Sequence, residues 1–321
     1  MLIFSAAMLA GFLLLVWGAD RFVLGAGAAA RNMGISPLMI GLTIVAFATS
    51  LPEILVSITA SIHDAPGLAI GNAVGSNIAN IALVLGVTAI ICPIRLESET
   101  TRREIPALLA VTLLLVMLAM DGYIGPVDGY VLMGSLGLLM YWIAKIGFRS
   151  AATDPIRKEF DEEIPSDVKM GAAAGWLILG LAVLLLGANL LVWGAEEIAR
   201  AIGISDVIIG LTIVAVGTSL PELAVTVVSA LKNEHGLAIG NVIGSNMFNT
   251  LAVIGPAAAI HPIVMGNKML TLHLPVMIGL TLVLFAMTYD FGGRGKLHRS
   301  EGMALVAAFV AYHYYTITFT L

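Results

Sequence analysis

Long apolar runs, separated by short breaks rich in charged residues, proline or glycine, make up most of the chain. A membrane-spanning helix needs about 20 consecutive, mostly apolar residues, and ten of the runs reach or approach that length. The pattern therefore predicts an all-α polytopic membrane protein. We number the ten predicted spans 1 to 10 and place them at residues 2–30, 37–62, 67–91, 105–121, 127–148, 171–201, 206–231, 237–260, 269–289 and 301–320.

The composition excludes several other classes of protein. Of the 321 residues, 59% are hydrophobic and only 12% are charged, and the mean hydropathy is +0.98. Soluble domains carry roughly 25% charged residues, so this chain lacks the charge that covers a water-exposed surface. The formal net charge of −5 offers no basic surface to a nucleic acid. The single cysteine, Cys92, excludes a disulfide framework within the chain.

The distribution of Lys and Arg predicts the orientation. Thirteen of the sixteen lie in or beside the odd-numbered loops between spans, whereas only Arg200 and Lys268 belong to the even-numbered loops. Because cytoplasmic loops are enriched in Lys and Arg, we expect both termini outside a cell (inner or plasma) membrane. Span 1 is too long for a signal peptide, lacks a basic start and contains Asp20 and Arg21. We therefore expect it to be a helix of the mature protein.

Two halves of the chain repeat one another. The segment GLTIVAFATSLPE at 41–53 recurs as GLTIVAVGTSLPE at 210–222, and GLAIGNAVGSNIAN at 67–80 recurs as GLAIGNVIGSNMFN at 236–249, both at an offset of 169 residues. Each repeat holds five predicted spans, an odd number, so the second copy enters the membrane from the opposite face. This inverted arrangement is typical of secondary transporters. It divides the chain into a first five-helix repeat at 1–148, a cytoplasmic linker at 149–170 and a second repeat at 171–321.

The repeated motif places one glutamate in the middle of a span in each half, Glu53 in span 2 and Glu222 in span 7. An ionised carboxylate inside a membrane is costly and marks a functional site with a partner. Arg21 is the only basic residue well inside a span, so the protein cannot neutralise both glutamates. A bound cation is the natural partner. The alternative is a pair of protonated glutamates that are satisfied by hydrogen bonds.

The residues beside the glutamates predict broken helices that supply oxygen ligands. A proline precedes each glutamate and lacks the N–H that would bond the carbonyl four residues earlier. In lipid, such a break is tolerated where it is buried in protein or lines a cavity. Backbone carbonyls, hydroxyls and a carboxylate then lie within one turn, and these ligands suit Ca²⁺ or Na⁺. The hydroxyls belong to Thr49 and Ser50 in one half and to Thr218 and Ser219 in the other.

The second repeated segment, GN-x-x-GSN-x-x-N in spans 3 and 8, places polar residues four apart, on one helical face. We expect Ser76, Asn80, Ser245 and Asn249 to face the ion site. The asparagines Asn72, Asn77, Asn241 and Asn246 are equally consistent with a packing face whose amides bond neighbouring helices. Two carboxylates supply a charge of −2, which one Ca²⁺ or two Na⁺ neutralise. Competition between these ions for the same oxygens leads to exchange.

The ATSLPE and GTSLPE motifs, together with the two GN-x-x-GSN segments, resemble the α-repeats of the cation/Ca²⁺ exchanger superfamily, especially its prokaryotic Na⁺/Ca²⁺ exchangers. The resemblance covers nearly the whole chain. It implies a Ca²⁺ site shared by Glu53 and Glu222, with backbone oxygens from Thr49 and Thr218 and with Asn80 and Asn249 at its border. It also implies that spans 1 and 6 slide across the other eight spans to alternate access.

The resemblance further implies two Na⁺ positions that flank the Ca²⁺ site, and each draws on both halves. The first position involves Glu53, Ser76, Ala215, Thr218 and Ser219. Its mirror image involves Glu222, Ser245, Ala46, Thr49 and Ser50. Ca²⁺ and Na⁺ bind as substrates, and we expect no cofactor, no nucleic acid and no obligate protein partner besides the lipid bilayer.

The main prediction is thus an antiporter, not an enzyme, that exchanges Na⁺ for Ca²⁺ by alternating access. A Ca²⁺/H⁺ antiporter is the first alternative, although that branch has an additional glutamate in its GNA segment that both copies lack here. A K⁺-dependent exchanger is a weaker alternative, because that branch carries an acid where this chain has Asn249. A passive cation channel is disfavoured by the inverted repeat. The matched acids Asp20 and Glu196 of the WGAD and WGAE segments are either vestibule carboxylates or locally paired charges.

Overall fold

A computed structural model describes residues 1–95, 101–150, 168–203, 215–288 and 295–320 of the chain. The described residues of the first half, through 150, form eight α-helices. These are α1 (Leu2–Met33), α2 (Pro37–Ile40), α3 (Ala46–Thr49), α4 (Leu51–Ile62), α5 (Pro66–Ala79), α6 (Gly86–Ile91), α7 (Thr101–Ala119) and α8 (Pro126–Ser150).

The described residues of the second half add seven α-helices. These are α9 (Met170–Ala201), α10 (Ala215–Thr218), α11 (Leu220–Leu231), α12 (His235–Phe248), α13 (Ile254–Ile260), α14 (Leu274–Thr288) and α15 (Arg299–Thr320). Four π-helical segments continue or connect them, at Gly41–Val45, Asn80–Leu85, Asn249–Val253 and Met269–His273. Short π-helical insertions of this kind are frequent at functional sites.

The first and last residues of the helical segments lie within four residues of the predicted span ends wherever both ends are described. Within the described ranges, six helices are long and apolar enough to cross a membrane, or seven if the bent pair Pro37–Thr49 and Leu51–Ile62 counts as one span. The first part of predicted span 7, at 206–214, lies outside the described residues, as does most of the predicted linker. The chain is a multi-pass helical membrane protein, and the count of ten spans stays a prediction.

The two longest helices, α1 and α9, pack against each other in an antiparallel pair with very close backbones. Cβ atoms added at Gly11 and Gly18 would lie 2.6 Å and 2.5 Å from the backbone nitrogens of Leu191 and Leu184. Small residues allow such close approach between membrane helices. The contact glycines recur at seven-residue intervals on both helices, at Gly11, Gly18, Gly25, Gly180, Gly187 and Gly194. These are the helices that the resemblance identifies as the sliding pair.

The centre of the molecule is formed by α5 and α12, the helices of the GN-x-x-GSN segments. Every residue of α12 is buried, and its glycines allow contact with the backbone of the first half. A Cβ atom at Gly240 would lie 2.5 Å from the carbonyl oxygen of Leu38, and one at Gly244 would lie 2.6 Å from that of Leu42. These glycines therefore allow α12 to pack directly against the backbone of α2 and of the π-helical segment Gly41–Val45, as small residues do between membrane helices.

Two short antiparallel strand pairs join loops of the two halves. Strand β1 (Ile94–Arg95) pairs with β4 (Lys296–Leu297), and β2 (Tyr123–Ile124) pairs with β3 (Ile263–Val264). Each pair contains one strand from each half. The loops therefore add backbone hydrogen bonds to the helix packing that holds the two halves together.

Candidate cation-binding site

The helix break that the TSLPE motif predicts is present in both halves. Ser50 interrupts the path from α3 to α4 with φ −82° and ψ 2°, and the two segments are bent by 45°. Ser219 interrupts α10 and α11 with nearly the same angles, φ −88° and ψ 3°. Pro52 and Pro221 lie in the first turn of the following helix, where a missing N–H is tolerated. The repeated sequence thus forms the same local structure twice.

The two breaks place the glutamates at helix N-termini deep inside the protein. Glu53 lies in the first turn of α4 with 0% exposure, and Glu222 lies in the first turn of α11 with 1% exposure. The N-terminal end of a helix carries partial positive charge and favours a carboxylate. The partial charge of the helix ends does not compensate two buried carboxylates, which require added positive charge or protons.

A hydroxyl group of the first half reaches the glutamate of the second half. The Ser50 hydroxyl donates to Oε1 of Glu222 at 3.4 Å. The structure therefore brings a predicted hydroxyl residue of one half to the predicted carboxylate of the other half.

Asn72 and Asn241 donate hydrogen bonds to the backbone carbonyls of the two glutamates. Asn72 Nδ2 donates to the carbonyl oxygen of Glu53 at 3.2 Å and to the Ser57 hydroxyl at 3.1 Å. Asn241 makes the equivalent bonds to Glu222 and Thr226, at 3.3 Å and 3.0 Å. These amides therefore bond neighbouring helices, which was one of the two readings that the sequence allowed.

Ser57 and Thr226 were not singled out from the sequence. A hydroxyl residue four positions after the glutamate in both repeats was the signal that could have identified them. They receive the second N–H of each asparagine amide, and so they complete the hydrogen bonding of the helix turn that carries the glutamate.

Among the remaining predicted site residues, Ala46, Thr49 and Ser245 are fully buried. The Thr49 hydroxyl lies 3.4 Å from that of Ser245 and donates to Oδ1 of Asn241 at 3.2 Å. The carbonyl of Ala46 accepts from the Ser50 N–H at 3.0 Å, and it lies 3.3 Å from the Thr49 hydroxyl as an alternative acceptor for that hydroxyl proton. Ala215 is the first residue of α10. Buried in addition are Ser76, Ser219, Asn80 and Asn249, each with 3% exposure or less.

Several of these buried side chains have oxygens without a hydrogen-bond partner in the described part of the chain. There are six such oxygens on five predicted site residues. Buried polar atoms are normally hydrogen-bonded, and carboxylate, amide and hydroxyl oxygens are the ligands that Ca²⁺ takes in sets of six to eight. The atoms are Oε1 and Oε2 of Glu53, Oε2 of Glu222, Oδ1 of Asn80, Oδ1 of Asn249 and Oγ of Ser219.

The two matched acids of the WGAD and WGAE segments have different partners. Glu196 lies 3.3 Å from the guanidinium of Arg200 on the same helix. This contact agrees with the prediction of a locally paired charge. Asp20 lies 3.6 Å from Arg21, and also 2.7 Å from Nζ of Lys232 in the second half. This second contact, between residues far apart in sequence, was not predicted.

Comparisons with known proteins show the family of the chain. The family model described as sodium/calcium exchanger protein matches residues 4–145 and 172–318. The chain is 45% identical over 318 residues to the putative antiporter CaxA of Alkalimonas amylolytica, with 98% of both chains covered. It is 39% identical over 264 residues to the inner membrane protein YrbG of Escherichia coli, with 82% of this chain and 81% of that protein covered.

A solved structure is also similar. The sodium-calcium exchanger NCX_Mj, soaked without Na⁺ and Ca²⁺, superimposes with a TM-score of 0.84 at 35% identity, covering 97% of this chain and 98% of that one. The fold and these similarities thus define a membrane antiporter of cations, a transporter and not an enzyme. The matches over nearly the full length place it more narrowly: the chain belongs to the sodium/calcium exchanger protein family.

Proposed function

We propose that this protein exchanges Na⁺ for Ca²⁺ across the membrane by alternating access. The observation that carries the proposal is the set of six buried, unpartnered oxygens on Glu53, Glu222, Asn80, Asn249 and Ser219 in the described residues. Their chemistry and number suit Ca²⁺, and their net charge of −2 with both glutamates ionised matches one Ca²⁺. The similarity to NCX_Mj, which is described as a sodium-calcium exchanger, supports the same choice of ions.

In this proposal, Ca²⁺ binds between Glu53 and Glu222, and Na⁺ binds at two flanking positions that share the same carboxylates. Ser76 and Ser219 belong to one Na⁺ position, and Ser245 and Ser50 belong to the other. The hydrogen bond from Ser50 to Glu222 supports the sharing of ligands between halves. The carbonyl of Ala46 accepts the Ser50 N–H, and its second lone pair is available to Na⁺ when the Thr49 hydroxyl donates to Asn241 instead.

The deciding experiment measures ⁴⁵Ca²⁺ uptake by vesicles that contain the purified protein and are preloaded with Na⁺. Dilution into Na⁺-free medium should drive uptake, and dilution into equal Na⁺ should not. Glu53→Gln should abolish the uptake because it removes half of the site's charge while keeping its size. Glu197→Gln is the matched control, because Glu197 is partly exposed and paired with Arg200. Uptake that ignores the Na⁺ gradient, or that survives Glu53→Gln, would contradict the proposal.

A Ca²⁺/H⁺ antiporter is the second candidate, since two protons would neutralise the same two buried carboxyl groups. The vesicles distinguish the candidates if the Na⁺ gradient is replaced by a pH gradient. Uptake driven by the pH gradient in the complete absence of Na⁺ would favour H⁺ as the counter-ion. The K⁺-dependent alternative is tested in the same assay by preparing the Na⁺-free external medium with either choline or K⁺. Uptake of Ca²⁺ only when K⁺ is present would favour a K⁺-dependent exchanger.

We also propose two inverted five-helix repeats, at 1–148 and 171–321, with both termini outside and the linker at 149–170 in the cytoplasm. The distribution of Lys and Arg supports this orientation. It is tested by placing one cysteine at residue 161 in a Cys92→Ala background and labelling intact cells with a membrane-impermeant maleimide. Labelling should occur only after the cells are opened, whereas labelling of intact cells would reverse the proposed orientation.

A further inference from the structure

One amide–amide hydrogen bond crosses between the halves beside the proposed ion site. Nδ2 of Asn80, at the start of the π-helical segment Asn80–Leu85, donates to Oδ1 of Asn246 on α12 at 3.1 Å. Both side chains are buried, with 1% exposure each. The other amide atoms, Oδ1 of Asn80 and Nδ2 of Asn246, have no partner among the residues described.

The internal repeat does not reproduce this bond. The equivalent residues are Asn249 and Asn77, at the same offset of 169 residues. Asn77 instead donates to the Thr250 hydroxyl at 3.0 Å and contacts Sδ of Met277 at 3.5 Å. The amide of Asn249 has neither end bonded to a described residue. Asn80 and Asn246 are thus hydrogen-bonded to each other, whereas the equivalent residues Asn249 and Asn77 are not.

The difference matters because a carboxamide has two unlike ends. Its oxygen accepts and binds cations, whereas its NH₂ group only donates and would be repelled by a cation. An asparagine that is free to rotate can turn either end toward the site. Asn80 is not free, because its NH₂ group is engaged by the oxygen of Asn246. Its own oxygen is consequently the end that stays available.

We propose that Asn246 is a positioning residue that fixes the carboxamide of Asn80 with its oxygen available to the bound cation. The proposal rests on the proposed function, since it concerns the same ion site. Asn246 itself does not contact the ion. The site is then unequal on its two sides, because a hydrogen bond holds the amide of Asn80 whereas the amide of Asn249 has no hydrogen-bond partner among the described residues.

The test uses the fact that an aspartate has oxygens at both ends and needs no orientation. Ca²⁺ binding to purified protein is measured for the wild type, Asn246→Leu, Asn80→Asp and the double variant. In the protein that keeps Asn80, Asn246→Leu should weaken Ca²⁺ binding roughly tenfold, the upper end of the range for a lost buried hydrogen bond between neutral groups. In the Asn80→Asp background, the same substitution should have little effect.

A role for Asn246 in packing alone would give the same loss in both backgrounds, and that result would overturn the proposal. Asn77→Leu serves as the matched control, because it removes the repeat-equivalent amide; its effect should be the same with and without Asn80→Asp. Asn246→Ala replaces Asn246→Leu if the latter does not yield monodisperse protein. Failure of the proposed function is seen separately, as a wild type that binds no Ca²⁺ at all.

Discussion

The hydroxyl of Ser50 lies 3.4 Å from Oε1 of Glu222, although 172 residues separate them in the chain. Ser50 is the residue at which the helix of the first half breaks, and Glu222 belongs to the turn after the equivalent break in the second half. The two interrupted helices therefore meet at their breaks, and the first half donates a hydrogen bond to the glutamate of the second half.

This contact predicts the effect of Ser50→Ala. The substitution removes a donor to a buried carboxylate, a contribution of about 1 kcal/mol at this distance, so we expect the Ca²⁺ concentration for half-maximal exchange to rise about fivefold. Ser61→Ala is the control, since Ser61 lies buried in the same helix α4 but its hydroxyl has no partner among described residues. Equal effects of the two substitutions in the flux assay would contradict the assigned role of Ser50.

Ligand binding to the two glutamates should stabilise the folded protein. A ligand at 100 times its dissociation constant adds about 2.7 kcal/mol to the free energy of unfolding. We therefore expect saturating Ca²⁺ to raise the thermal midpoint in detergent by roughly 5 °C, as followed by the loss of monodisperse protein on heating. Glu222→Gln should remove this rise, whereas Mg²⁺ should not produce it. A Ca²⁺-dependent rise that persists in Glu222→Gln would place the ion elsewhere.

The sequence was informative where a residue's type alone determines its structure. Proline removes a backbone donor wherever it occurs, so the breaks at Ser50 and Ser219 could be predicted. A carboxylate in the middle of an apolar membrane span is costly to expose to lipid. The burial of Glu53 and Glu222 inside the protein could therefore be predicted as well. The repeat also indicated that both halves contribute to one site, because the same polar residues occur in each.

The choice of hydrogen-bond partner could not be predicted in the same way. Asn77 and Asn246 occupy identical positions in the two repeats, yet one bonds Thr250 and the other bonds Asn80. That difference depends on the rotation and depth of four helices, which apolar periodicity does not specify. The contact between Asp20 and Lys232 could not be predicted for the same reason, because it depends on how α1 crosses the end of α11.

The ion pair between Asp20 and Lys232 leads to a prediction about rate. Its atoms are 2.7 Å apart, but both side chains are about one-third exposed, so the pair contributes less than about 1 kcal/mol to stability. If α1 slides relative to α11 during exchange, the pair breaks in each cycle. We expect Asp20→Asn and Lys232→Met each to raise the maximal exchange rate about twofold, with no further gain in the double variant, as coupled residues are not additive.

Glu196→Gln is the control for this prediction, because Glu196 pairs with Arg200 within the single helix α9. Sliding of that helix leaves the pair intact, so the rate should stay unchanged. The rates are measured as initial ⁴⁵Ca²⁺ fluxes at saturating Ca²⁺. Wild-type rates in both Asp20→Asn and Lys232→Met would show that the pair does not separate during transport.

The glycine contacts between α1 and α9 give the last prediction. A Cβ atom at Gly18 would lie 2.5 Å from the backbone nitrogen of Leu184, and a backbone atom cannot move aside without separating the helices. Gly18→Val should therefore cost about 1–3 kcal/mol of stability, as overpacking does, and lower the thermal midpoint. Gly175→Ala on α9 is the control, since its Cβ atom would meet no described atom within 4 Å and alanine favours the helix. A Gly18→Val protein as stable as Gly175→Ala would mean that α1 and α9 are not packed backbone to backbone.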